Sequence, residues 1–148
     1  MSRPKPLCRD DFSHFQTVPT RWMDNDVYGH VNNVVYYAYF DSAVNSYLIA
    51  QGVLRLDGPV IGLVVETGCN YFSSVKFPDV LQIGLRVASI GKSSVRYELG
   101  VFLENEPLAS ANGHFIHVYV DSSTRRPVSL PDDWRQALLP LMHNEVNA

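Results

Sequence analysis

The chain has 148 residues, 46% of them hydrophobic and 18% charged, the composition of an ordinary globular protein and not of a disordered one. That length suits a single domain over residues 1–148, and a domain of this size hides about 70% of the surface its unfolded form exposes. A net charge of -3 excludes duplex nucleic acid as the main partner, because such binding needs a basic face to displace counterions.

The N-terminal stretch MSRPKPLCRDDF holds no apolar run long enough for a leader or a membrane span. It predicts a cytoplasmic protein with no membrane partner, opening on a short arm over residues 1–14. Cys8 and Cys69 are the only cysteines; they are too few for a disulfide framework and lack zinc-site spacing, so both read as reduced, structural thiols. A first strand is expected at about 15–22. After a polar connection, residues 33–51 are apolar around most of a helical circumference, from Val34, Tyr36 and Tyr39 to Tyr47 and Ile49, with a narrow polar strip of Asp41, Ser42, Asn45 and Ser46. Such a helix must be wrapped by other structure. Asn32 or Asn33 supplies a cap for its first amides, and Gly52 ends it.

Beyond the helix the period changes to two. Leu81, Ile83, Leu85 and Val87 alternate with Gln82, Gly84, Arg86 and Ala88, and Val95, Tyr97, Leu99, Val101 and Leu103 alternate with residues such as Arg96, Glu98 and Gly100. Further strands are expected at 60–72 and 108–120, and the short connections Gly91-Lys92-Ser93 and Glu104-Asn105-Glu106-Pro107 make the sheet antiparallel. A short helix at 132–142 closes the chain. The order predicts an α+β fold in which a sheet curls over one long central helix and a second copy of the chain covers the rest.

The connection into the helix reads Arg21-Trp22-Met23-Asp24-Asn25-Asp26-Val27-Tyr28-Gly29-His30-Val31-Asn32-Asn33. It holds an acidic pair separated by one residue, a Gly three positions after the second acid, then His-x-Asn-Asn and an aromatic-rich helix. This run resembles the signature of the 4-hydroxybenzoyl-CoA thioesterase-like branch of the hotdog superfamily. The likeness extends through Phe77-Pro78-Asp79-Val80-Leu81 and the strand order, over about residues 15–131.

The resemblance implies a hotdog fold and hydrolysis of an acyl-CoA thioester without cofactor or metal, in a homodimer or homotetramer with active sites at the interface. By position, Asp26 matches the family's catalytic carboxylate, and the amino end of the helix just beyond favours an anion there. Its role is attack on the thioester carbonyl or removal of a proton from water. The amide of Asn33 is the matching oxyanion donor. Gly29 allows close backbone approach or positive φ, His30 orients Asp26 or assists the departing thiolate, and Asn32 and Tyr36 belong to the substrate site. The turn containing Lys92, Ser93 and Ser94 matches a position that contacts the nucleotide phosphates. Ile90 and Gly91 stand where some members carry arginines, and Arg125 and Arg126 are alternative phosphate partners.

Plainer roles compete with several of these. Asp26 suits an Asx turn, Asn32 and Asn33 suit caps, Lys92 suits a soluble hairpin, and Tyr36 suits core packing. Asp24 is read as structural, pairing with Arg21, and Asp41 as a hydrogen-bonding group at a dimer interface. His114 and His117, three apart in a strand, fall on opposite faces and cannot share a metal. Gly91-Lys92-Ser93 lacks the first glycine and the following helix of a phosphate-binding loop, and no Gly-x-Ser-x-Gly elbow is present. Two alternatives to a thioesterase remain: a non-catalytic acyl-CoA-binding module, and an enoyl-CoA hydratase, whose usual Asn between acid and His is not reproduced from Asp26 to His30.

Overall fold

The computed structural model describes residues 3–142; Met1, Ser2 and residues 143–148 of the expected domain lie outside the described residues. Five antiparallel strands, β1 (His14–Pro19), β2 (Val60–Tyr71), β3 (Val80–Ile90), β4 (Ser94–Leu103) and β5 (Ala111–Asp121), form one sheet in the order β1-β3-β4-β5-β2. The long helix α1 (Val35–Ala50) packs on one face, and α2 (Asp132–Leu138) closes one end. This is the hotdog architecture.

The period-two pattern decides which face meets the helix. Leu81, Ile83, Leu85, Val87, Val95, Tyr97, Leu99 and Val101 are all buried in one core with Phe40, Val44, Tyr47 and Leu48 of α1. Gly84 and Gly100, expected on the water side, are also buried. They pair across β3 and β4, and the ring of Phe12 lies on them from the outer face, with Phe102 and Ala109 beside it. The arm is held there by bonds from the Leu7 amide to Asn112 Oδ1 (3.2 Å) and from the Arg9 amide to the Pro107 carbonyl (2.8 Å).

Element ends depart from expectation for local reasons. β1 stops at Pro19, because Thr20 turns to the Asp79 carbonyl and residues Trp22–Asp24 wind into a 3-10 turn closed by the Asp24 carboxylate on the Arg21 amide. α1 begins two residues late, at Val35; Asn32 serves its start, its Oδ1 accepting from the Val34 amide at 3.1 Å. Gly52, at φ +77°, ends the helix as expected. The last helix is shorter than residues 132–142, continuing beyond Leu138 as a 3-10 turn that contains Pro140.

The sheet leaves one long edge open. β2 has β5 on one side only, so its other edge is unpaired, and Leu63, Val64 and Val65 along it are exposed. His117 of β5 is buried, with Nε2 the one buried side-chain nitrogen or oxygen that lacks a hydrogen-bond partner among the described residues. His114 lies on the opposite face, 2.9 Å from Glu66.

Burial lowers the His117 pKa from 6.5 to about 4, against the opposing field of the Asp41 carboxylate. The unfolded chain therefore takes up this proton at a higher pH than the folded one. The stability contributed by the neutral ring is complete above pH 6.5 and lost as pH falls through about 4. Urea unfolding at pH 7 and pH 4.5 is expected to show wild type losing roughly 2 kcal/mol more on acidification than His117→Phe. Equal losses in the two proteins would refute a neutral buried His117.

Candidate active site

The connection from β1 to α1 is a tight, pinned turn. The Asp26 amide donates to the His30 carbonyl at 2.9 Å, the Gly29 amide donates to the Asp26 carbonyl at 3.1 Å, and Asn25 bridges Val31. Gly29 sits at φ +82° with open space where a Cβ would be, so the turn needs its backbone freedom and not its small size. Outside bonds hold the turn on both flanks: the Val31 amide to the Val75 carbonyl (2.8 Å), the Asn32 amide to the Asp24 carbonyl (2.9 Å), and the Phe77 amide to Asn25 Oδ1 (3.1 Å).

Asp24 is the anchor of this arrangement. Its side chain is 1% exposed, pairs with Arg21 at 3.0 Å, and accepts from the Tyr39 hydroxyl of α1 at 2.7 Å. Burial raises its pKa, but the Arg21 amide, the Tyr39 hydroxyl and the Arg21 guanidinium outweigh that and hold the carboxyl below its ordinary range. The expected pairing with Arg21 is present, and the contact with Tyr39 adds a direct tie between turn and helix.

Asp26, His30, Asn33 and Tyr36 line one cleft of about 450 Å³. The Asx turn weighed for Asp26 is present: Oδ1 accepts from the Tyr28 amide at 2.9 Å, while Oδ2 has no partner among the described residues. The Asn33 amide likewise donates to no described group, and its carbonyl accepts from the Tyr71 hydroxyl at 2.9 Å. Two residues that each carry an unpartnered group among the described residues, a carboxylate oxygen and a backbone donor, thus line the same space. His30 lines the cleft beside them and is exposed.

The far wall comes from Tyr71, Phe72, Ser73 and Ser74, which no local sequence motif singles out. Tyr71 packs edge-on against Tyr36, ring centroids 4.9 Å apart. Burial raises both phenols and pushes the nearby Cys69 thiol up to about 11, so these groups stay neutral near pH 7. The cleft mixes aromatic and polar walls, and Asp26 is the one acid among its lining residues.

Of the expected substrate residues, Gly29, Asn32, Lys92, Ser93 and Ser94 do not line it within one chain. Asn32 is engaged at the helix start. Lys92, Ser93 and Ser94 occupy the β3–β4 hairpin, and Ser94 pairs with Val118, whereas Tyr71 at the cleft pairs with Ala111 and so lies toward Val101. The hairpin is therefore at the other end of the sheet, as are Arg125 and Arg126, which follow Asp121.

A family model described as the thioesterase-like superfamily matches residues 18–138. The chain belongs to this superfamily. Membership supports thioester hydrolysis as the general activity, and no helix among the described residues is long and apolar enough to cross a membrane. The PA5185 protein of Pseudomonas aeruginosa strain PAO1 is similar throughout, at 53% identity with a TM-score of 0.92, over 95% of this chain and 99% of that one. Slr0204 of Synechocystis, a 1,4-dihydroxy-2-naphthoyl-CoA thioesterase, shares the fold at 17% identity with a TM-score of 0.78, over 86% of this chain and 96% of that one. The uncharacterized protein YsmA of Bacillus subtilis (strain 168) is 29% identical over 132 residues, 88% of each chain.

Proposed function

We propose that this member of the superfamily hydrolyses an acyl-CoA thioester, with the Asp26 carboxylate as nucleophile or general base and the Asn33 amide as donor to the oxyanion. The observation that carries the reading is that Asp26 and Asn33 line one cleft while Asp26 Oδ2 and the Asn33 amide have no partner among the described residues. In the base route Oδ2 takes a proton from water as the water oxygen bonds to the carbonyl carbon. The tetrahedral oxyanion accepts from the Asn33 N–H, the C–S bond breaks, and the thiolate takes up the proton. In the nucleophilic route Oδ2 itself bonds to the carbonyl carbon, the thiolate leaves, and water cleaves the resulting anhydride. His30 assists the leaving sulfur, and Gly29 gives the turn its shape.

The working unit in this reading is a dimer joined along β2. A 12-residue edge strand with exposed Leu63, Val64 and Val65 needs a partner strand, and self-pairing satisfies both copies by one two-fold axis. Antiparallel pairing sets the Tyr71 end of one β2 beside the Val60 end of the other. The second copy's hairpin with Lys92, Ser93 and Ser94, and its Arg125-Arg126 turn, then approach the cleft from across the interface and hold the phosphates of CoA.

A thiol-release screen over short, long and aromatic acyl-CoAs tests the activity, and a single turnover of the best substrate in heavy-oxygen water divides the routes. Thiol release is expected, with label in Asp26 if the carboxylate attacks and in the free acid alone if it activates water. Tight acyl-CoA binding with no thiol released would overturn the proposal in favour of a binding module.

A further inference from the structure

Residues 31–34 lead into α1 without belonging to it, so the helix's own ladder of hydrogen bonds does not fix them. Outside partners do so instead. The Val31 amide donates to the Val75 carbonyl at 2.8 Å, the Asn32 amide to the Asp24 carbonyl at 2.9 Å, the Val34 amide to Asn32 Oδ1 at 3.1 Å, and the Val35 amide to the Asn32 carbonyl at 2.9 Å. From Val31 to Val35, the Asn33 amide is the one without an acceptor among the described residues. Its orientation is set by the two peptide groups that meet at Asn33. The first carries the N–H itself, and the carbonyl of that group, on Asn32, is taken by Val35. The second is held at its N–H end by the Asn32 side chain and at its carbonyl end by the Tyr71 hydroxyl, which donates to the Asn33 oxygen at 2.9 Å.

That last bond replaces one that the helix does not supply. In an α-helix extended back to this point the Tyr37 amide would donate to the Asn33 carbonyl, but it donates to the Val34 carbonyl at 3.3 Å. Among the described residues the Asn33 carbonyl has no donor except Tyr71. The phenol is itself set from two sides. Its backbone pairs with Ala111 in the sheet, and its ring stands edge-on to Tyr36, centroids 4.9 Å apart. Burial, then the neighbouring Cys69 thiol and Tyr37 phenol, raise its pKa, so it remains an O–H donor through the neutral range.

We propose that Tyr71 is a positioning residue for thioester hydrolysis, its hydroxyl holding the Asn33 carbonyl so that the Asn33 amide keeps one orientation for the oxyanion. Tyr71 acts through Asn33 and not on the reacting atoms. The inference rests on the reading of that amide as the oxyanion donor. Without the hydroxyl, the peptide group between Asn33 and Val34 keeps only its tie to the Asn32 side chain and can rock. A donor that rocks loses stabilisation of the transition state that substrate binding does not share.

The test is Tyr71→Phe in the full-length protein, which keeps the ring, its contact with Tyr36 and the strand pairing and removes the hydroxyl alone. On the best substrate of the thiol-release screen, kcat is expected to fall about tenfold with KM within about twofold, a part of the about 10²- to 10³-fold lost when an oxyanion donor is removed altogether. The infrared carbonyl stretch of a bound ketone analogue of acyl-CoA reads the hydrogen bond directly. Wild type is expected to lower it relative to its value in water, and Tyr71→Phe to return it part of the way. Tyr71→3,5-difluorotyrosine keeps the donor while protonated and loses it on ionising. Its kcat should match wild type at low pH and fall away from it as the phenol titrates, which decides the matter should the Phe variant fail to fold. If wild type leaves the ketone stretch at its value in water, the Asn33 reading fails and takes the inference with it. If wild type lowers the stretch and Tyr71→Phe lowers it equally, the role of Tyr71 alone is overturned. A higher KM with unchanged kcat also overturns it, since the hydroxyl would then be a substrate contact, as does a difluorotyrosine variant whose kcat follows wild type at every pH.

Discussion

Asp26→Asn is expected to lower kcat/KM for thioester hydrolysis by about 10² to 10⁴-fold, the range lost when a positioned acid–base group is removed. The substitution is chosen because it spares the turn. The Asx bond from the Tyr28 amide uses Oδ1 alone, and an asparagine oxygen can accept the same bond. Backbone bonds from Asp26 to His30 and from Gly29 to Asp26 are untouched. What disappears is the basicity and nucleophilicity of the second oxygen. Urea midpoints of variant and wild type should therefore agree, separating loss of chemistry from loss of fold. Retained turnover in a folded Asp26→Asn protein would remove residue 26 from the mechanism.

Gly113→Ala is expected to destabilise the fold by about 3 kcal/mol, at the upper end of overpacking costs. Gly113 lies in β5 directly beneath α1, where an added Cβ would come 2.2 Å from Cε2 and 2.6 Å from Cζ of Phe40. That ring is fully buried and packs edge-on against Phe115, centroids 6.2 Å apart, so it has no free direction in which to yield. Either the ring leaves its place or helix and sheet separate, and separation would also shift the start of α1 at the cleft. Urea denaturation measures the loss, and Phe40→Leu in the same chain should recover part of it, since the shorter side chain clears the Cβ. A stable Gly113→Ala, or additive effects in the double variant, would show that the contact does not limit packing.

Parts of the fold are legible in the sequence because local patterns and tertiary burial agree there. In β3 and β4 one face meets a single apolar helix, so alternation alone identifies the core residues from Leu81 to Val101. The same alternation misplaces Gly84 and Gly100, because what covers them is Phe12, about 70 to 90 residues away in the chain and invisible to a short window. The limits of β1 and α1 shifted for a similar reason. Side-chain bonds from Asp24 and Asn32 shape the connection in a way that apolar periodicity does not encode.

At the site, the near wall is contiguous in sequence from Asp26 to Tyr36 and could be read from one motif. The opposite wall could not. Tyr71 to Ser74 arrive through the pairing of Val31 with Val75 and the bond from Tyr71 to Asn33, contacts between segments about 40 residues apart. Their only local signal is the end of an apolar strand followed by two serines. The Lys92 to Ser94 turn presents the reverse situation: the resemblance assigns it to the nucleotide, while a single chain keeps it at the other end of the sheet. In the proposed dimer a second copy paired along β2 would bring it near the cleft.

Binding geometry bears most directly on the proposed chemistry. A crystal structure with a ketone analogue, in which methylene replaces the thioester sulfur of an acyl-CoA, should show the carbonyl oxygen about 3 Å from the Asn33 amide nitrogen. It should also show the free Asp26 oxygen within about 3.5 Å of the carbonyl carbon or of a water beside it. A carbonyl seated elsewhere, with the residue 26 carboxylate turned to bulk solvent, would contradict the mechanism.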